Sequence, residues 1–336
     1  MKEIDLKLLA TLKRYAECGI EQQIDYEKFY LYSLITHSTA IEGSTVTEVE
    51  NQLLFDEGIA AKGRSLVEQM MNVDLKNAYV FGFEWAKAPE PYTVDFLCKL
   101  SAMVMRRTGS EYYTMGGTFD SSKGELRLCN VSAGIGGKSY LAFNKVPKAT
   151  ADFCKWLNEE LLAIDKNDVA ACYRLSFEAH FRLVTIHPWV DGNGRTTRLL
   201  MNIVQRQLCL IPSIVTKEAK GEYIQALIDS RENEDSAIIQ DVMLTQHIAN
   251  LESRIIQYQK SLDDTTGDTV NDTVKSNDTV SRLIAIIKEH PNYTYDEYAD
   301  VLGIGRATVA RHIKKLNGTL IKRIGSDKVG YWEFIK

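Results

Sequence analysis

Residues 263–280 break the chain in two. Asp268-Thr269-Val270, Asp272-Thr273-Val274 and Asp278-Thr279-Val280 repeat within a stretch otherwise rich in Gly, Ser and Asn. Such a tract is too polar to bury and too uniform to specify a core, so it reads as a linker. The two sides are therefore separate folding problems, and their charges differ. Residues 281–336 hold 10 Lys/Arg against 6 Asp/Glu, a net +4, while the preceding residues hold 30 against 39, a net −9. A small basic module beside an acidic body implies two tasks.

The acidic body shows apolar residues at helical spacing. The spacing predicts helices over 26–40, 64–87, 94–107, 149–164, 169–184, 195–208, 218–231 and 236–260. Within 198–208, Leu199, Ile203 and Leu208 fall near one face with polar residues between them. The exception is 117–146, rich in Gly, Ser and alternating residues. There Leu126–Val131 and Lys138–Phe143 read as the strands of a hairpin. Its Gly-Lys138-Ser139 turn imitates a P-loop, but Ser132 stands where the first glycine is needed and a strand follows where a helix should. No apolar run approaches the roughly 18 residues that span a bilayer. The first residues lack a signal peptide's apolar stretch, so a cytoplasmic protein is expected. The 6 cysteines are scattered without metal-ligand spacing, and neither disulfides nor zinc are expected.

The most informative run is His187-Pro188-Trp189-Val190-Asp191-Gly192-Asn193-Gly194-Arg195-Thr196-Thr197-Arg198. A Gly-Asn-Gly turn opening a helix offers backbone N–H groups to an anion. Arg195 and Arg198 share one side of its first turn, where the helix dipole disfavours cations. A polyphosphate between them resolves that conflict. Asp191 can offer oxygen to Mg²⁺, and His187 can act as a general base. Each residue has a plain structural reading as cap, turn or solvated charge; their conjunction favours chemistry.

The run resembles the Fic-family signature, His-x-Phe-x-(Asp/Glu)-Gly-Asn-Gly-Arg-x-x-Arg, with Trp189 in place of the phenylalanine. The resemblance implies an all-helical Fic domain with a β-hairpin flap at about 117–146, and with the winged helix read below from the tail's own pattern it makes a mostly α fold. With the linker and tail read from composition, the chain divides into an N-terminal helical region (1–110), a catalytic core (111–262), the linker (263–280) and a C-terminal domain (281–336). The resemblance implies transfer of AMP from ATP to a Ser, Thr or Tyr hydroxyl of a target protein docked along the flap, or of the enzyme itself. His187 would take the hydroxyl proton and Asp191 would hold Mg²⁺. Gly192, Asn193 and Gly194 would cradle the phosphates, and Arg195 and Arg198 would clamp the β and γ groups. Tyr223 is a candidate to stack on adenine; a lone aromatic on an amphipathic helix is more often a core residue.

A second run, Ser38-Thr39-Ala40-Ile41-Glu42-Gly43, ends the helix over 26–43. Gly43 suits the position after a helix end, and Thr45 to Glu48 reads as a capping box for the next helix. Glu42 and Arg198 thus lie at the unfavourable ends of two helix dipoles, and an ion pair would relieve both. The run resembles the Fic inhibitory motif, (Ser/Thr)-x-x-x-Glu-(Gly/Asn). That resemblance makes Glu42 a brake on Arg198, with Ser38 one turn earlier on its face. The same glutamate positioning a water to remove AMP is a reading left open.

In the basic tail, a helix over 281–290 directs Leu283, Ile284 and Ile287 inward, and a Thr294–Glu297 capping box starts a second helix ending near Leu302. A third, 306–316, buries Val309, Ile313 and Leu316 and presents Arg306, Thr308, Arg311, His312 and Lys315. Two strands, 320–324 and 330–335, complete a winged-helix pattern. Its net charge suits DNA through Arg306, Thr308, Arg311 and Lys315; protein docking is the competing use. Two functions follow: an autoinhibited protein adenylyltransferase, or a DNA-binding regulator whose Fic domain senses nucleotide. Transfer of another phosphate-linked group is a third, and an oligomer is compatible with all of them.

Overall fold

The computed structural model describes residues 2–133, 138–268, 283, 286–302, 305–316, 321–325 and 330–334. The chain forms two compact units, Met1–Ile256 and Gln257–Lys336.

The first unit is helical: α1 (Glu3–Glu17), α2 (Tyr26–Ile41), α3 (Glu48–Asp56), α4 (Leu66–Trp85), α5 (Val94–Val104), α6 (Val146–Ala163), α7 (Val169–Ile186), α8 (Asn193–Gln207) and α9 (Lys220–Glu232). The helix α10 (Ala237–Asp268) begins in this unit and ends in the second. It runs several residues into the predicted linker, and residues 269–280 of that linker lie outside the described residues. Among the described residues no helix is long and apolar enough to cross a membrane.

Helix α8 lies at the centre, buried at Asn193 and from Arg195 to Gln205. The polar residues between its apolar positions are inside as well, and the two amides near its end are satisfied. Asn202 Oδ1 accepts from the Tyr79 hydroxyl at 2.7 Å, and its Nδ2 donates to the Ser213 carbonyl at 3.0 Å. Gln205 donates to Ser176 Oγ at 2.9 Å and accepts from Ser213 N–H at 2.7 Å. Burying amides is tolerable because each one meets a partner.

Helix α2 is likewise buried over most of its length. It ends in a Schellman arrangement, with Gly43 N–H donating to Ala40 at 3.1 Å and Ser44 N–H to Thr39 at 3.1 Å, and Gly43 at φ +102°. A buried polar network then fastens this end. Asn72 of α4 accepts from Thr39 Oγ1 at 2.8 Å and from Asn51 of α3 at 2.9 Å, and donates to Ser44 Oγ at 3.1 Å. The capping box of α3 falls two residues later than expected, between Thr47 and Glu50. Thr45 turns instead to Glu68 of α4, whose carboxylate accepts its N–H at 2.7 Å.

Among the described residues the expected hairpin shows one antiparallel bridge, Ser132 to Ser139, flanked by Ala133 N–H to Lys138 and Tyr140 N–H to Val131. Residues 134–137, and with them the P-loop-like glycines, lie outside the described residues. The regular hairpin of this unit is β1 (Glu111–Thr114) with β2 (Gly117–Asp120), register Glu111 to Asp120. It was not foreseen because both strands are short and the turn, Met115-Gly116, lacks the Asn-Gly or Asp-Gly pair that announces a hairpin.

In the second unit, α11 (Tyr295–Leu302), α12 (Arg306–Leu316), β3 (Ile321–Ile324) and β4 (Tyr331–Phe334) enclose a core of Leu283, Ile287, Tyr298, Val309, Ile313, Ile321 and Trp332. The capping box is present: Thr294 N–H donates to Glu297 at 2.6 Å and receives the return bond at 3.3 Å. β3 and β4 pair antiparallel with Ile321 opposite Phe334. Arg306 is exposed beside Asp296 at 3.2 Å. Thr308, Arg311 and Lys315 lie on α12, but their side chains are outside the described residues, as is Ile284.

Candidate active site

The signature run lies between the end of α7 and the start of α8. His187 caps α7 in the left-handed region, φ +54°, which a non-glycine residue adopts only when its surroundings hold it there. Trp189 is fully buried and donates its Nε1–H to the Gly124 carbonyl at 3.0 Å. Asn193 brackets the loop: its Oδ1 accepts from Trp189 N–H at 3.1 Å and its Nδ2 donates to the Trp189 carbonyl at 2.8 Å. Its side chain is thereby occupied in shaping the turn, so only its backbone N–H remains for the phosphate role expected of it. Gly192 sits at φ +76°, and a Cβ there would come within 2.6 Å of Met105 Sδ. Both facts require glycine.

Helix α8 then begins with N–H groups that no helical carbonyl can satisfy. Arg195 is buried beneath them. Its Nη2 lies 3.2 Å from Met105 Sδ and 3.7 Å from Asp191 Oδ1, while its Nε and Nη1 are buried without a hydrogen-bond partner. Orphaned guanidinium donors are costly, and they mark where an anionic ligand would fit. Asp191 is 60% exposed at the rim, with Oδ1 accepting from Gly192 N–H at 2.6 Å. A carboxylate so placed fits the hard-oxygen preference of Mg²⁺.

Arg198, only 3% exposed, meets the end of α2. Its Nη2 donates to Glu42 Oε1 at 2.6 Å and to the Ser38 carbonyl at 2.9 Å, and its Nε to Ser38 Oγ at 3.0 Å. Burial alone would raise the Glu42 pKa, but the charge and hydrogen bond of Arg198 outweigh it and hold the carboxyl below its ordinary 4.5. The pair is therefore intact at neutral pH and is lost only as pH falls through that lowered value. Glu42 also crowds the phosphate turn, since a Cβ at Gly194 would fall on its Oε1.

Tyr223 does not face this opening. It is 1% exposed on α9, its hydroxyl 2.8 Å from His180 Nε2 and in contact with Arg198. The core reading of Tyr223 holds here, because its hydroxyl supports the arginine from behind and its ring is covered.

Burial lowers the His187 pKa to about 4, helped by nearby Arg127 and Arg231 and opposed by the Val184 carbonyl and Glu42. The imidazole is neutral at pH 7. Its Nδ1 lies 3.3 Å from the Val184 carbonyl, which can only accept, so Nδ1 carries the proton and Nε2 keeps a lone pair. Two partners of this histidine escaped the sequence reading. Tyr140 stacks on its ring, centroids 3.8 Å apart at 17°. Arg127, fully buried, donates from Nε to the His187 carbonyl at 2.8 Å. An arginine and a tyrosine in a Gly/Ser-rich segment carry no local pattern that announces these contacts.

Residues 91–205 match the Fic/DOC family, and residues 276–317 match a winged helix-turn-helix DNA-binding family. The chain is 28% identical over 204 residues to the protein adenylyltransferase fic-1 of Caenorhabditis briggsae, covering 60% of this chain and 36% of that protein. It is 28% identical over 229 residues to the protein adenylyltransferase Fic of Drosophila melanogaster, covering 68% and 42%. The chain thus spans less than half the length of these relatives. Among solved structures, a Fic domain-containing signaling protein from Bacteroides thetaiotaomicron superposes with TM-score 0.61 at 19% identity, over 76% of this chain and 97% of that one. A Fic family protein from Desulfovibrio desulfuricans superposes with TM-score 0.60 at 18% identity, over 100% and 97%. These likenesses show the fold.

Proposed function

From a chain that carries a Fic/DOC-family domain and a winged helix-turn-helix module, we propose a protein adenylyltransferase restrained by its own Glu42. The observation that carries this reading is Arg195, buried at a helix N-terminus with two guanidinium nitrogens unpartnered. A nucleoside triphosphate would supply their acceptors. Relatives named protein adenylyltransferase support the same chemistry.

A target hydroxyl, presented by a segment lying along 126–143, reaches His187 Nε2. As the hydroxyl oxygen bonds to the α-phosphorus, its proton passes to Nε2. The bond from that phosphorus to the bridging oxygen breaks, and pyrophosphate leaves. Arg195, Arg198 and the N–H groups of 193–195 stabilise the charge on the phosphate oxygens. Asp191 would hold Mg²⁺, which when bound neutralises part of that charge. In the resting chain Glu42 holds Arg198, so the γ-phosphate lacks its clamp.

ATP labelled at the α-phosphorus is expected to label protein, and ATP labelled at the γ-phosphorus is not. Label from the γ position would identify a kinase and overturn the proposal. The pH dependence follows from His187. In a variant freed of the brake, transfer is level from about pH 6 to 8 and falls as acid protonates Nε2, with the limb near about 4. A limb near the ordinary histidine value would mean that the imidazole is not held in this buried setting.

A second task rests on the tail. The winged-helix match and the exposed Arg306 support DNA binding by residues 281–336. Affinity for duplex DNA should fall roughly 100-fold between about 50 and 200 mM salt if about four phosphates are contacted. Binding that ignores salt would point to a protein partner.

A further inference from the structure

Arg127 is fully buried, yet its partners are carbonyl oxygens. Nη1 donates to Cys129 at 2.8 Å, Nη2 to Leu141 at 2.5 Å and Nε to His187 at 2.8 Å. Its own N–H donates to the Pro188 carbonyl at 3.0 Å. Three stretches of chain therefore converge on one side chain: the arm before 134, the arm after 137 and the catalytic loop. A guanidinium in the interior without a carboxylate is a poor choice for stability alone, since an apolar residue avoids the desolvation cost. What the planar fork offers is several donors in fixed relative directions.

The two tethers bear on the chemistry. The Leu141 carbonyl adjoins Tyr140, the ring stacked on His187, and the His187 carbonyl belongs to the base itself, held at φ +54°. The bridge Ser132 to Ser139 joins the arms beyond the arginine. We propose that Arg127 is a positioning residue that makes the acceptor-docking arms and the general base one rigid unit, so that docking a target sets the distance from its hydroxyl to His187. The inference rests on the adenylyltransferase reading for its catalytic consequence. Its mechanical content stands independently.

Native-state hydrogen exchange on the wild-type full chain reads the mechanical part. The amides of Arg127, Tyr140 and His187, bonded to Pro188, Val131 and Leu183, should open with one common protection factor and one denaturant dependence. In Arg127→Lys, which keeps a cation but not the fork, all three should lose protection together while α4 and α8 keep theirs. Independent opening in the wild type, or loosening of the arms with His187 unchanged, would overturn the proposal.

The catalytic part is read in the Glu42→Gly background. For Arg127→Lys, the Kd for Mg-ATP by calorimetry should stay within about threefold, while AMP transfer at saturating ATP falls roughly 100-fold, as misplacement of a reacting group does. Restoring arginine restores the rate. Unchanged transfer, or equal losses in Kd and rate, would assign Arg127 a purely structural role. If Glu42→Gly itself transfers no AMP, the adenylyltransferase reading fails, and the exchange experiment still decides the tether.

Discussion

Replacing Glu42 by glycine should raise AMP transfer about 5- to 150-fold, the range spanned by coupling free energies of about 1–3 kcal/mol. In the resting structure the carboxylate pairs with Arg198 at 2.6 Å and lies against Gly194. Its removal frees one guanidinium edge and opens the phosphate turn. Arg198 keeps Ser38 Oγ and the Ser38 carbonyl as acceptors, so it is not stranded. The loss of folding stability should be about 1–2 kcal/mol, less than for a fully interior pair because Glu42 is 34% exposed. The measurement is label transfer from α-labelled ATP alongside thermal unfolding. A faster but slightly less stable protein is the expected result. A variant no faster than the wild type at saturating ATP would remove the brake from this account, whatever its stability. Glu42→Gln, which keeps size without charge, should fall between the two.

Replacing His187 by alanine in that activated background should lower transfer about 10²- to 10⁴-fold, the usual contribution of a positioned general base. ATP binding should be nearly unchanged, since in the proposed mechanism α8 and its arginines, not the imidazole, would hold the phosphates. The imidazole contributes through Nε2, the only ring nitrogen left with a lone pair once Nδ1 faces Val184. Tight Mg-ATP binding with no transfer in either the activated parent or the histidine variant would favour the nucleotide-sensor reading. The winged helix would then be the place to look for output. Equal transfer with and without His187 would mean that another group accepts the proton.

Much of this was legible because local pattern and chemistry coincide. The eight expected helices of the first unit are present, since each rests on spacing that a helix reproduces from its own backbone geometry. Helix α1 lay outside that reading. The Glu42–Arg198 pair was foreseeable for a comparable reason: both charges sit at helix ends that disfavour them, and the end of a helix is written in its sequence. The capping box slipped from Thr45 to Thr47 because Thr45 is claimed by Glu68, a residue on another helix.

What the sequence by itself determined is therefore most of the helices, the Gly-Asn-Gly turn and the charged groups placed around it, because turns, caps and dipoles act over a few neighbouring residues. Only the tertiary structure decided which polar groups lie inside. Asn202 and Gln205 became interior because partners from α4, α7 and the Ser213 segment reach them. Tyr223 was placed behind Arg198, and Asn72 tied down the end of α2. Arg127 was set between two arms and the His187–Pro188 loop by contacts that include one 60 residues away in the chain. A buried polar group is stable only where folding brings it a partner, and those partners are distant in sequence.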